Sequence, residues 1–352
     1  QVAGEGRRVL VDKYFVGREV EVDAVCDGET VLIPGIMEHV ERAGVHSGDS
    51  MAIYPGLTLS KEEVDTVVDY TTRIGLALQV KGLMNIQYVI VGGPAYRSPS
   101  SNAGRDKDDA TSVYVIEVNP RSSRTIPFIS KVTGVPMVKL AVGAMLGSSL
   151  KDQGYSGGLW RKKPLVAVKA PVFSMSKLSG VDTYLGPEMK STGEIMGIDV
   201  DFPKAFSKAL IAAGLELRPG GSILLSIADR DKADVEDMVR RLASFGFSLY
   251  ATSGTASLIK NLGMEVVEVL KRKEGNPNVV DLITQGAVDA VVNTEAGERQ
   301  SMEDSFTIRR AAVDRKIPCF TSLDTARAAV ESLSTTAVTY SVKPLPAYRG
   351  DD

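Results

Sequence analysis

The chemistry in this chain is easiest to read at Ile116-Glu117-Val118-Asn119-Pro120-Arg121. On a strand, side chains alternate between faces, so Glu117 and Asn119 stand together and present a carboxylate and an amide oxygen side by side. Gln87, on a strand able to pair with this one, adds a third oxygen. Three hard oxygens with one formal charge suit Mg²⁺, which keeps waters and is shared with substrate phosphates. Arg121 and Arg124 follow at once, and guanidinium forks suit the charge that develops on a transferring phosphoryl group. An ordinary polar strand edge fits the same residues.

Two other clusters carry comparable signals. In Glu41-Arg42-Ala43-Gly44-Val45-His46-Ser47-Gly48-Asp49 a glycine stands on either side of a His–Ser pair, so the backbone can approach a phosphate or nucleotide closely. A turn with a surface histidine is the alternative. Ala251-Thr252-Ser253-Gly254-Thr255 falls between an expected strand and an expected helix, where free N–H groups and the helix dipole favour an anion. Lys232 and Lys271 each follow a strand and reach the same rim; simple N-capping by Thr or Ser explains the segment equally well. There is no P-loop and no Rossmann fingerprint, so a nucleotide site must be of another kind. The only histidines, His39 and His46, lie early in the chain, which rules out histidine catalysis in the later half.

The elements that must position these residues divide the chain. Strand patterns at 20–25 and 30–33 flank the turn Asp27-Gly28-Glu29, and Ser60 with Glu63 forms a capping box that opens a helix running to about Lys81-Gly82. Strands at 86–91 and 113–118 pair as an antiparallel hairpin around a polar loop, 92–112. From Gly221 onward strands and helices alternate: strands at 223–227, 248–251, 266–269, 288–293, 318–321 and 337–342, with a helix at 232–245 stopped by Gly246. Repeated strand–helix units imply a parallel sheet covered on both faces. The expected division is 1–150, a connecting region 151–219, and 220–352, with the Pro/Gly segment 217–221 at the last boundary.

Composition removes several function classes. The net charge of -3 over 352 residues leaves no general attraction for phosphate backbones, so nucleic acid is not expected as a partner. No uncharged apolar run approaches the roughly 20 residues of a membrane span, and no membrane is expected. Cys26 and Cys319 lie far apart without CxxC spacing, which fits a reduced, cytoplasmic setting. The opening Gln1-Val2-Ala3-Gly4 has no initiator Met and no signal-peptide character, so the chain reads as a segment of something longer.

Taken together, His39-Val40-Glu41-Arg42-Ala43-Gly44-Val45-His46-Ser47-Gly48-Asp49-Ser50, Gly82-Leu83-Met84-Asn85-Ile86-Gln87, residues 116–124 and Leu185-Gly186-Pro187-Glu188-Met189-Lys190-Ser191-Thr192-Gly193-Glu194 closely resemble the large subunit of carbamoyl-phosphate synthase. The resemblance runs over almost the whole chain and covers the C-terminal third of that subunit. It implies an α/β and α+β architecture: the C-terminal lobe of an ATP-grasp unit with a mixed, largely antiparallel sheet, then a parallel-sheet, methylglyoxal-synthase-like allosteric domain. Such a unit phosphorylates carbamate with ATP, for pyrimidine and arginine biosynthesis. The resemblance implies Gln87, Glu117 and Asn119 as ligands of Mg²⁺ or Mn²⁺, and Glu19, Gly44, Val45, His46 and Ser47 as ATP contacts, with Lys13 and Phe15 in the same set. Arg121 and Arg124 match arginines that hold the phosphoryl group or carbamate. Lys232, Thr252, Thr255, Lys271 and Asn293 match positions that hold the phosphate of a nucleotide effector such as UMP or IMP. A glutamine amidotransferase small subunit supplying ammonia is the implied partner.

Three features depart from the family pattern. The loop 92–112 is longer than a tight hairpin, Ala170 stands where ornithine-activated relatives carry an acidic residue, and Glu295 replaces a threonine of the effector site. Glu41 and Asp49 still match two other residues of the ornithine site. A methylglyoxal synthase is excluded, because Asn276-Pro277-Asn278-Val279-Val280-Asp281 replaces its Gly-Gly-Asp segment and no histidine follows His46. A stand-alone regulatory module without catalysis is the remaining alternative.

Overall fold

A computed structural model describes residues 11, 13–92, 111–175, 180–294, 299–335 and 342–351. The first part contains β1 (Arg18–Asp27), β2 (Val31–Arg42), β3 (Ala52–Tyr54), α1 (Lys61–Ala77), β4 (Lys81–Val91), β5 (Ser112–Asn119), α2 (Ile126–Thr133) and α3 (Met137–Met145). It continues with β6 (Gly158–Leu159), β7 (Val166–Val172), β8 (Gly193–Asp199) and α4 (Phe202–Ala213). The strands form one mixed sheet in the order β5-β4-β1-β2-β3-β7-β8, with β6 beside β2. Residues 151–219, read as a connecting region, thus contribute three strands to the first sheet.

Alternation along the central strands sets what each face does. Val20, Val22, Ala24, Met84, Ile86 and Tyr88 pack under α1, which leaves the intervening polar residues of β1 and β4 to the other face. Helix α1 starts as its capping box requires: the Ser60 hydroxyl accepts from Glu63 N at 3.1 Å and the Glu63 carboxylate accepts from Ser60 N at 2.7 Å. Gly75 lets its backbone lie directly on the sheet, since a Cβ there would stand 2.9 Å from Val31 Cγ2. The helix ends at Ala77, earlier than the expected Lys81-Gly82. Gln79 turns into the left-handed region at φ 50 and reverses the chain, so Lys81 and Gly82 already belong to β4. On the far face α2 and α3 bury Phe128, Ile129, Met137 and Leu140 against Leu32, Met37 and Tyr54.

The second part runs β9 (Ser222–Ser226), α5 (Glu236–Ser244), β10 (Ser248–Thr252), α6 (Ser253–Asn261), β11 (Val267–Val269), α7 (Val279–Gln285), β12 (Ala290–Asn293), α8 (Arg299–Arg315), β13 (Cys319–Phe320) and α9 (Leu323–Ser332). A last helix, α10 (Leu345–Arg349), places Tyr348 in the core beneath α2. The sheet order is β11-β10-β9-β12-β13, and every pair is parallel. Ile223, Leu225, Ala251 and Val292 face one core, while Leu224, Val269 and Val291 face the other. Both faces are therefore covered, as the alternation of elements implied. The helix expected at 232–245 begins only at Glu236. Residues Asp229–Asp234 wind into a tighter 3-10 turn instead, and this turn swings Lys232 toward the start of α6. The expected strand at 337–342 falls mainly on 336–341, outside the described residues, as does nearly all of the loop 92–112. Among the described residues no single helix is long and apolar enough to cross a membrane.

Candidate functional site

The polar face of the first sheet carries a graded cluster. Register puts Glu21, Gln87 and Glu117 in one cross-strand row and Asp23, Asn85 and Asn119 in the next. A bulge in β5 makes Ile116 the extra residue, so that Glu117 faces Gln87. Glu117 accepts from Asn119 Nδ2 at 2.8 Å, and Arg121 donates to Asn119 Oδ1 at 3.3 Å. Gln87 Nε2 donates to Ser47 Oγ at 2.8 Å, which ties the glycine-flanked turn to the same place. The three expected metal ligands are thus brought together with Arg121 and Ser47. One exposed carboxylate beside two amides is a donor set that fits a hard cation shared with phosphate oxygens.

The turn holding Gly44, Val45, His46 and Ser47 is anchored from outside its own strand. His46 N donates to Gly186 O at 2.8 Å, and Gly48 N donates to His46 Nδ1 at 3.0 Å. The His46 ring therefore serves its own turn. Gly44 lies at φ 113 with Tyr14 packed against it, where a Cβ would stand 3.1 Å from Tyr14 Oη. Phe15 stacks on Tyr114 at 4.5 Å, with the Lys13 ammonium 5.2 Å from the Phe15 ring. Tyr114 pairs with Val89 and Val89 with Glu19, so this aromatic pair belongs to the row that ends in Glu19.

Several site residues were not singled out from sequence. His39 lies fully buried between Glu21, 3.1 Å away, and Glu19, 3.5 Å away. Burial pushes the Glu19 carboxyl up to about 7; the His39 charge opposes this, and Glu21, Glu41 and Glu117 add to it. Burial would also raise Glu21, but the hydrogen bond and charge of His39, with Lys169 and the Asn85 amide, hold it below the usual carboxylate range. Asp23 goes the other way, raised by burial and then by the Glu21 charge. It accepts from Asn85, Ser123 and Thr125. Lys169, wholly buried, donates to Ser47 O at 2.8 Å and stands 3.9 Å from Glu194. Arg124 donates to Ser191 Oγ at 2.9 Å and lies 3.6 Å from Glu194. Arg124 is thus tied to β8 and the segment before it, whereas Arg121 is tied to Asn119 at the end of β5.

Glu41 and Asp49 line a separate cavity of about 280 Å³ with Phe173, Met175 and Phe320. Both carboxylates are engaged: Glu41 accepts from Met51 N and Thr325 Oγ1, and Asp49 from Lys190 N and Ser191 N. Ala170 is fully buried.

In the second part the sheet order reverses between β9 and β12, and the crevice at the carboxyl ends of these strands is where open α/β sheets take ligands. Thr252 caps α6 with extended backbone but makes no side-chain capping bond, so the capping explanation does not account for it. A Cβ on Gly254 would lie 2.7 Å from Lys232 Nζ. An ammonium and the positive end of a helix thus converge, an arrangement that favours an anion between them. Asp229 holds Lys232 at 2.5 Å, and its carboxyl is lowered by that hydrogen bond and charge and, further off, by Lys271. Asn293 is fully buried, and its Nδ2 has no partner among the described residues. Thr255 faces inward, its hydroxyl accepting from Ile227 N at 3.1 Å. Glu295 lies outside the described residues.

These two sites, on these two sheets, define an ATP-grasp-type lobe joined to a methylglyoxal-synthase-like α/β domain. A family profile described as "Carbamoyl-phosphate synthase L chain, ATP binding domain" matches residues 1–153, and one described as "MGS-like domain" matches 234–321. The chain is 54% identical over 345 residues to the carbamoyl phosphate synthase large chain of Thermomicrobium roseum, covering 98% of this chain and 30% of that one. The corresponding protein of Thermoanaerobacter pseudethanolicus is 50% identical over 329 residues, covering 94% and 28%. The chain belongs to the carbamoyl phosphate synthase large-chain family and spans about 30% of the length of these relatives. A solved biotin carboxylase domain of a single-chain bacterial carboxylase covers 65% of this chain, and 57% of that domain is covered, at 13% identity and a TM-score of 0.40. So loose a likeness carries no argument.

Proposed function

We propose that this chain is the part of a carbamoyl phosphate synthase large chain that completes the carbamate-phosphorylating site and carries the effector domain. The observation that supports it most is the Ser47–Gln87–Glu117–Asn119 cluster, in which the nucleotide turn and the oxygen ligands meet on one sheet face. Glu117, Gln87 and Asn119 would hold Mg²⁺ or Mn²⁺, which when bound neutralises charge on the ATP phosphates. The Gly44–Ser47 backbone and Glu19, in the cross-strand row that runs through Val89 to Tyr114, would bind and orient ATP. Lys169 fixes Ser47 through its carbonyl, while Arg121 and Arg124 would hold carbamate and the transferring phosphoryl group. Catalysis of this kind is mostly positioning and charge neutralisation. The other lobe that closes over ATP would come from the rest of the large chain. A glutamine-hydrolysing small subunit, ammonia and bicarbonate complete the proposed reaction, in a cytoplasmic setting and for pyrimidine and arginine biosynthesis. Formation of ATP from ADP and carbamoyl phosphate by the full-length large chain tests the reading. Gln87→Ala should lower that rate by about 10- to 100-fold, as expected for a lost metal-site partner. A wild-type chain without this activity would leave the stand-alone regulatory module as the better reading.

The crevice of the second domain is proposed to take the phosphate of a nucleoside monophosphate such as UMP or IMP, held by Lys232, Lys271, Thr252, Thr255, Asn293 and the start of α6. Lys271→Ala should weaken nucleotide binding about 10-fold in a calorimetric titration, the loss of one partly solvated charge contact. Unchanged affinity would remove Lys271 from the site.

A further inference from the structure

Arg309, on α8, is wholly buried, and a buried guanidinium is costly unless its donors are matched. They are. Nε donates to Asp182 Oδ1 at 2.7 Å, Nη2 to Asp182 Oδ2 at 2.5 Å and Nη1 to Asn293 Oδ1 at 3.0 Å, with the Tyr184 ring 5.6 Å from the cation. This one side chain therefore holds both an amide of the effector crevice and the segment between β7 and β8.

The far end of that segment grips the nucleotide turn. Asp49 accepts from Lys190 N at 2.7 Å and Ser191 N at 2.9 Å, Gly186 O accepts from His46 N at 2.8 Å, and Ser191 Oγ donates to Gly48 O at 3.0 Å. Ser191 also accepts from Arg124. Residues 182–191 thus form a strap bolted at one end to Arg309 and at the other to the turn 44–49.

We propose that Arg309 and Asp182 are positioning residues through which occupancy of the crevice at Asn293 sets the strap and, with it, the nucleotide turn. The proposal rests on the functional reading of both sites. Asn293 has one amide for two tasks: its Oδ1 holds Arg309, and its Nδ2 lacks an acceptor among the described residues. A ligand oxygen bound at Nδ2 loads the same planar group that orients Arg309. The bidentate pair then passes any shift on without slack, because two parallel hydrogen bonds fix orientation as well as distance. Such an element couples two sites when both bias the same equilibrium between its arrangements.

The test uses the full-length enzyme with Asp182→Asn and Arg309→Lys. UMP affinity is measured by calorimetry, and KM for ADP and kcat are measured in ATP formation from carbamoyl phosphate, with and without UMP. In Asp182→Asn, UMP should bind within about threefold of wild type and kcat should stay within about twofold. The UMP-induced shift in KM should fall to within about twofold of unity, with Arg309→Lys, which keeps the charge, in between. Retention of the full wild-type shift in Asp182→Asn overturns the proposal. Hydrogen exchange at the His46 amide supplies an arm that needs no effector: its protection should drop in Asp182→Asn, and unchanged protection also overturns the proposal. If protection drops but wild type binds neither UMP nor IMP, the effector reading fails while the strap stands.

Discussion

Glu117→Ala in the full-length large chain is expected to lower ATP formation from ADP and carbamoyl phosphate by at least about a thousandfold, roughly 4 kcal/mol of transition-state stabilisation. Of the three oxygen ligands only Glu117 carries charge. The other carboxylate in its row, Glu21, is committed to His39, Asn85 and Thr125 and lies in the sheet interior, so it cannot substitute. Phosphoryl transfer relies on neutralising charge spread over the β- and γ-phosphates, and two neutral amides do this poorly. Glu117 is exposed and bonded only to Asn119 among the contacts seen, so the variant should keep the wild-type melting temperature within about a degree or two. Excess metal should recover little of the rate. Wild-type rates in the variant would show that the row Glu21–Gln87–Glu117 is an ordinary polar strand edge.

That row was legible in the sequence because a strand has a period of two and two strands separated by a loop most often pair. Spacing sets Glu117 and Asn119 on one face with Gln87 on a strand able to pair, but it leaves an ordinary polar edge equally open, and the register that puts Glu117 opposite Gln87 depends on the bulge at Ile116. The strand–helix alternation after Gly221 was legible for a similar reason, since each βα unit states its own period. Lys169 and Glu194 were not, although they complete the same site. They arrive on β7 and β8, which join the sheet beside β3 rather than beside β5; local patterns do not report which distant strands become neighbours. The sequence marks His39 only as one of two histidines and as part of the family-like motif, because a histidine alternating with Glu38 and Val40 on a strand looks like any other until the Glu19 and Glu21 carboxylates of β1 are placed around it. The early end of α1 and the 3-10 turn at Asp229–Asp234 are boundary details that periodicity does not report: Gln79 leaves the helix through a left-handed backbone, and Lys232 pairs with Asp229 three residues before it.

Glu19 carries the second large effect, with opposite signs for stability and function. Its carboxyl is almost wholly buried and sits beside Glu21, with Glu41 and Glu117 near by. The folded value of about 7 exceeds the ordinary 4.5, so between roughly pH 4.5 and 7 the folded state binds more protons than the unfolded one and stability falls as pH rises. His39 works in the same direction. Burial lowers its value, but Glu19 and Glu21 together raise it above the ordinary 6.5, so its contribution is present below that point and is lost as pH climbs through the folded value. Wild type should therefore melt several degrees lower at pH 8 than at pH 5. Glu19→Gln keeps the shape and removes the charge that must otherwise be desolvated. It should flatten the profile between pH 5 and 7 and gain about 1–2 kcal/mol at pH 8, a figure reduced because the variant also forgoes the attraction of His39. The same substitution should raise the KM for ATP in the full-length enzyme, because a carboxylate held at a cost in the site is what an orienting contact to ATP would use. A profile as steep as wild type, or a variant less stable at pH 8, would mean that His39 fully offsets the burial of Glu19.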